Sequence, residues 1–150
     1  LDFGCGTGLS GAALAEAGFT TIDGTDFSPQ LLDFAHAKRS ASGAPVYRAL
    51  WQSEAGQLDV DQSAYRAIVA TGVVSLGAAP PETLDLLLGK LEAGGVLAFS
   101  YNDPTLEEPS YMEALAAALA EPGITQRFRQ HGPHLSEKVT GSDVIVLQKG

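Results

Sequence analysis

Cysteine occurs once in 150 residues, at Cys5, which excludes an intramolecular disulfide and a cysteine-built metal cluster. A lone thiol fits a reducing cytoplasm. Positive charge is scarce as well: nine Lys plus Arg stand against 18 Asp plus Glu, a formal charge of −9. The broad basic face that holds a phosphate backbone is therefore absent, and neither nucleic acid nor an acidic membrane is the expected partner. A small-molecule substrate is, with Arg127 and Arg129 as a local basic patch for an anionic one. No apolar run approaches the roughly 20 residues of a membrane span, and no secretory leader is visible. The chain begins without methionine, at what reads as the end of a strand. Leu1 is thus expected to lie inside a longer protein, with the first strand truncated there and an upstream segment missing. What the chain does have is 45% hydrophobic residues and a mean hydropathy of +0.06, enough for a full core in one domain over residues 1–150. Nothing in the composition indicates oligomeric state.

The most informative residues come first: Leu1-Asp2-Phe3-Gly4-Cys5-Gly6-Thr7-Gly8. Three alternate glycines after an apolar strand end let the backbone turn tightly and let a ligand approach the main chain. The acid at the strand tip repels a pyrophosphate and attracts a cation. Cys5 reads either as a small residue chosen for steric reasons or as a thiol activated at a helix start. Residues 10–17 form a short helix of small side chains, with Gly18 as its C-terminal cap. A β-rich stretch over 19–24 leads to Thr25-Asp26-Phe27-Ser28-Pro29. Asp26 falls 18 positions after Gly8, close to the ~20-residue spacing at which an acid meets the ribose hydroxyls of a nucleotide bound across two strands. Asp23, mid-strand, is expected to face solvent.

Together these motifs resemble class I S-adenosylmethionine-dependent methyltransferases, in which an acidic residue precedes Gly-x-Gly-x-Gly and a second acid ends strand two. The resemblance implies that S-adenosylmethionine is the cofactor. It places Gly4, Cys5, Gly6 and Gly8 against the methionine portion, Asp2 at its amino group and Asp26, beside Phe27, at the ribose. It also implies a Rossmann-like, doubly wound α/β sandwich with a seven-stranded, mainly parallel sheet in the order 3-2-1-4-5-7-6, the last strand antiparallel. The upstream segment would carry the lid over the cofactor. Among branches of the family, the chain is similar to small methyltransferase-like domains, including the Williams–Beuren-region type. No Asn-Pro-Pro-Tyr or Asp-Pro-Pro-Tyr follows strand four, which speaks against the amino-methylating nucleic-acid branch.

Along the rest of the chain, Ser28 and Pro29 begin a helix over 29–39, with Leu31, Leu32, Phe34 and Ala35 as its apolar stripe and His36 on the surface. Strand three covers 46–51 and runs into a polar loop over 52–64. The family's adenine-binding acid is missing there; Gln52 can offer a carbonyl oxygen to the adenine amine, and Trp51 or Leu50 can pack on its ring. Strand four covers 65–71, with Arg66 where the family carries Asp. Thr71 and Gly72 at its end either face the cofactor or form an ordinary turn. A leucine-rich helix over 82–92 and Gly94-Gly95 lead into strand five. Tyr101-Asn102-Asp103-Pro104 either meets the substrate or builds a turn. A helix over 111–121 precedes two strands, 124–129 and 144–149, joined by His131-Gly132-Pro133-His134. These two histidines do not share a helix face and are not read as a metal pair. Either can serve as a substrate-facing base, though no residue can be assigned a catalytic role from sequence.

The reaction implied is in-line methyl transfer to a small-molecule acceptor, an enzyme's activity. Two other readings share the motifs: a non-catalytic adenosylmethionine-binding or partner subunit, and an NAD(P)-dependent oxidoreductase domain, which Asp2 disfavours.

Overall fold

Local chemistry sets where the elements begin. In the computed structural model, which describes residues 1–54, 57–136 and 139–150 and only the backbone at 134–136 and 139–140, Ser28 accepts from Leu31 N at 3.3 Å and Pro29 opens a helix. Gly18 follows another helix in the left-handed region, at φ 97°. Numbered in chain order, the seven strands lie in the order 3-2-1-4-5-7-6; strands one to three pair in parallel, as do four and five, and the seventh is antiparallel to the fifth and the sixth. The chain divides into two compact units, Leu1–Ala55 and Gly56–Gly150.

The first unit contains β1 (Asp2–Phe3), α1 (Leu9–Glu16), β2 (Asp23–Asp26), α2 (Pro29–His36) and β3 (Ala49–Gln52). Its register sets Asp2 opposite Gly24 and Asp26 opposite Gln52. Its core joins Cys5, Ile22, Leu32, Ala35, Val46 and Tyr47. Three expectations are corrected here. Residues 19–22 are β-rich but outside the ladder, because strand formation follows partners rather than propensity, and Phe19 is exposed. Phe34 is 62% exposed, since α2 buries only the narrow i, i+3 pair Leu32 and Ala35. Asp23 is buried rather than solvent-facing, since β2 has a strand on either side; Arg48 offsets its charge through a two-nitrogen ion pair.

The second unit contains β4 (Tyr65–Ala70), α3 (Thr83–Lys90), β5 (Leu91–Asn102), α4 (Asp103–Glu107), α5 (Pro109–Ala120), β6 (Ile124–Ser136) and β7 (Val139–Lys149). Leu84, Leu87, Leu97, Phe99, Leu115, Ile145 and Leu147 are buried between sheet and helices, each worth about 1.5–3 kcal/mol of transfer free energy. Tyr101 sits edge-on to Phe99 and Tyr111, with centroids 5.0 and 5.8 Å away. The last two strands run longer than expected. The segment 131–134, read as a connecting loop, lies inside β6 and pairs with β7, His131 opposite Asp143 and Pro133 opposite Gly141. Pro133 is tolerated because β6 is an edge strand with one pairing side. Asn102 caps α4, its Oδ1 accepting from Thr105 N at 3.0 Å and Thr105 Oγ1 at 2.6 Å, so 101–104 is a strand end and helix start rather than a free turn. No helix among the described residues is long and apolar enough to cross a membrane.

Candidate functional site

The glycine loop of the first unit adopts backbone that side chains would oppose. Gly4, Gly6 and Gly8 have φ of 67°, 53° and 86°. Gly8 also has no room for more: a Cβ there would come 2.9 Å from Lys38 Cγ and 3.1 Å from the Ala35 backbone. Gly6 differs, with nothing within 4 Å of where its Cβ would be. The loop thus packs against α2 at one end and leaves open space over Gly6.

Asp26 ties this loop to the next. Its Oδ2 accepts from Gly6 N and its Oδ1 from Ser28 N, both at 2.9 Å. One carboxylate therefore fixes the turns after β1 and β2, and each oxygen keeps a lone pair for a further donor. Beside it, Phe27 is 63% exposed. Gln52 Nε2 donates to Phe27 O at 3.0 Å, which orients the side chain so that its Oε1 is the remaining acceptor. Trp51, one residue earlier on β3, is half-buried.

Asp2 is fully buried, and Ser10 Oγ and Tyr47 Oη both donate to its Oδ2 at 2.7 Å. Its Oδ1 has no hydrogen-bond partner. Burial pushes the Asp2 carboxyl above the usual range, against the pull of the two hydroxyls. Burial and the nearby Asp2 likewise raise the Tyr47 phenol. Cys5 is buried, its thiol pushed up to about 12 first by burial and then by Asp2 and Asp26, so the activated-thiol reading does not hold.

Neither Ser10 nor Tyr47 was identified from the sequence. The available signal was glycine in costly places. Gly11 sits inside α1, where Ala is favoured by roughly 1 kcal/mol, and Gly24 inside β2. A Cβ on Gly11 would overlap the Tyr47 ring, and one on Gly24 would come 2.7 Å from Tyr47 Cε1. Both positions are vacated so that the phenol can reach Asp2.

In the second unit, Thr71 and Gly72 follow β4 and are exposed. Gly72 has φ 70° and donates its N–H to Ser100 Oγ at 2.9 Å, so the turn needs glycine. The expected basic patch is not free: Arg127 donates to Gln148 at 2.7 Å and Arg129 pairs with Asp143 at 2.6 Å. Arg66 pairs with Glu92 on the surface. His36 is exposed on α2; His131 meets Asp143, and the side chain of His134 lies outside the described residues. No group of three or more potential ligands among the described residues could hold a metal.

The donor set suits the cofactor the motifs imply. A buried carboxylate oxygen without a partner fits a cationic amine, and a strand-tip carboxylate with spare lone pairs fits vicinal hydroxyls. Comparison with known proteins points the same way. Residues 1–97 match the family described as methyltransferase domain. A ribosomal protein L11 methyltransferase from Shewanella sediminis is 29% identical over 100 residues, 67% of this chain, and the chain spans 32% of that relative's length. Among solved structures, an S-adenosylmethionine-dependent methyltransferase from Methanosarcina mazei is 14% identical with a TM-score of 0.70, covering 99% of this chain and 90% of that one. The N-methyltransferase NodS from Bradyrhizobium japonicum is 16% identical with a TM-score of 0.73 over 99% and 83%. The cyclase SpnF, also 16% identical, has a TM-score of 0.73 over 99% and 74%. At such identities the likeness is one of fold, and an N-methyltransferase beside a cyclase shows that this fold serves more than one chemistry.

Proposed function

The chain belongs to the methyltransferase-domain family, and from that premise we propose that it transfers the methyl group of S-adenosylmethionine to a small-molecule acceptor. The observation that carries this reading is the buried Asp2 with one unpartnered oxygen beside a bare glycine loop. In this assignment Asp2 holds the cofactor's amino group, and the backbone of Gly4, Cys5, Gly6 and Gly8 packs along its methionine portion. Asp26 accepts from the ribose hydroxyls while keeping its bonds to Gly6 and Ser28. Phe27 and Trp51 flank the adenine, and Gln52 offers Oε1 to the adenine amine. Thr71 and Gly72 are assigned cofactor contact on the family resemblance alone.

The cofactor supplies both the methyl group and its leaving group. The protein's part is alignment, since holding the reacting atoms at about 3–3.5 Å in line removes much of the entropic barrier without a side-chain nucleophile. We read residues 1–150 as one domain; the family match supports this by running past residue 56, where the second unit begins. A single buried thiol suits the cytoplasm. The substitution of Gln52 for an adenine-binding acid favours a second reading, an adenosylmethionine-binding subunit without turnover.

Calorimetry with S-adenosylmethionine, S-adenosylhomocysteine and NAD tests the assignment. The first two should bind and NAD should not; the reverse would overturn it. Asp26→Ala should weaken adenosylmethionine binding by about 2 kcal/mol. Because the same carboxylate anchors two backbone N–H groups, the variant should also lose folding stability. Formation of adenosylhomocysteine across a metabolite panel separates enzyme from binding subunit.

A further inference from the structure

Two hydroxyls converge on a single oxygen of Asp2. Ser10 Oγ, on α1, and Tyr47 Oη, just before β3, each donate to Oδ2 at 2.7 Å. Oδ1 has no hydrogen-bond partner among the described residues, although Asp2 is fully buried. A free carboxylate has two equivalent oxygens; here the fold makes them unlike. Protonation does not repair the imbalance, because a hydrogen on either oxygen would still leave Oδ1 without a partner. A donor from outside the chain, an amine or a water that the amine holds, removes the deficit.

The phenol that takes part is held on three sides, all within the first unit. A Cβ on Gly11 of α1 would overlap Tyr47 Oη, one on Gly24 of β2 would come 2.7 Å from its Cε1, and one on Gly8 would come 3.1 Å from its Cε2. The ring therefore lies against the end of the glycine loop as well as against a helix and a strand. It packs in the core with Cys5, Ile22, Leu32, Ala35 and Val46. Phenylalanine would fill that space as well, so packing does not account for the hydroxyl; its bond to Asp2 does. Asp23, on the neighbouring strand, shows the alternative treatment of a buried acid. Arg48 binds both of its oxygens and balances its charge.

We propose that Tyr47 and Ser10 are positioning residues for cofactor recognition, holding Asp2 by one oxygen so that the other is committed to the amino group of the cofactor's methionine portion. This rests on the methyl-transfer reading above. Neither hydroxyl touches the cofactor in this scheme. Both are neutral, so they fix the carboxylate without cancelling the charge that attracts an ammonium, as an arginine in their place would. The carboxylate is ordered before the ligand arrives, which lowers the entropic cost of binding.

Calorimetry with adenosylhomocysteine and with desamino-adenosylhomocysteine, in which hydrogen replaces the amino group, tests this. The native protein should bind the first about tenfold or more tightly. Tyr47→Phe should remove most of that preference, weakening adenosylhomocysteine about tenfold and the desamino compound less than about twofold. Ser10→Ala, at a half-buried helix position, should act in the same direction and carries the test if the Tyr47 variant does not fold. In an Asp2→Asn background, Tyr47→Phe should alter neither affinity, because no carboxylate is left to orient. Equal weakening of both ligands would reduce Tyr47 to a support of the fold and overturn the proposal. Unchanged affinities in both single variants, or a full Tyr47 effect in the Asp2→Asn background, would overturn it too. The two readings fail separately: native protein that binds neither compound overturns the methyl-transfer reading, while native protein that binds both alike leaves that reading standing and removes the positioning role.

Discussion

Asp2 and Asp143 are both buried carboxylates on strands, and the two units treat them in opposite ways. Asp2 accepts from the neutral hydroxyls of Ser10 and Tyr47, keeps one oxygen without a side-chain partner, and is held above the ordinary carboxyl range by burial. Asp143 meets a guanidinium and an imidazole, and their bonds to it overcome the cost of burial. A buried charge left without a counter-ion costs folding free energy and is kept only where something else completes it. A charge balanced within the fold does orienting work instead. The first unit thus has an electrostatic need that a cationic ligand can meet, and the second has used its need to aim a histidine.

The strongest way to break this comparison is to open the enclosure around Asp2. Gly11→Ala drives a methyl group into the Tyr47 ring, and a destabilisation of about 3 kcal/mol is expected in urea unfolding. A variant of unchanged stability would mean that Tyr47 does not hold the carboxylate as described. Asp143→Asn should cost about 2 kcal/mol at neutral pH through its charged hydrogen bonds. The sign follows from its lowered carboxyl: the contribution is complete above the unfolded value near ~3.9 and is lost as pH falls through the folded one. The variant should therefore show a flatter acid limb in stability measured against pH.

Asp2→Asn should behave in the opposite sense. Its folded carboxyl is raised, so ionisation costs stability as pH climbs from the unfolded value to the folded one. Asparagine can keep its carbonyl oxygen toward Ser10 and Tyr47 and place its amide where Oδ1 stood. The ligand-free variant should gain on the order of 1 kcal/mol at neutral pH while adenosylmethionine binding, followed by calorimetry, weakens. Equal stability losses in the Asp2 and Asp143 variants would erase the distinction between the units. Arg66→Ala provides the floor: Arg66 is 87% exposed, and removing its pairing with Glu92 should change stability by less than about 0.5 kcal/mol.

Features governed by neighbouring residues were legible in the sequence. The glycine loop, the Ser28-Pro29 helix start, Gly18 as a helix end and the alternation of strands and helices all follow from local backbone chemistry, and the strand order followed from the family resemblance. Features governed by register were not. That β2 begins only at Asp23, that Tyr47 crosses to Asp2 and that His131 stands opposite Asp143 depend on which strands pair and how they slide. Gly132 and Pro133 carry a local turn signal that a long antiparallel ladder overrides. The spacing singles out Asp26 as a candidate ligand residue, but its clasp of two loops depends on where the fold brings Gly6 and Ser28.

The phenol of Tyr47 fills space left vacant at Gly11 and Gly24. These three positions form a coupled set that cannot drift independently over evolutionary time. A descendant that acquires alanine at 11 or 24 must trade the tyrosine for something slimmer and find another donor for Asp2. In an alignment of relatives, a large aromatic at 47 should appear only together with glycine at both other positions, a joint rule that a single-column profile would not detect.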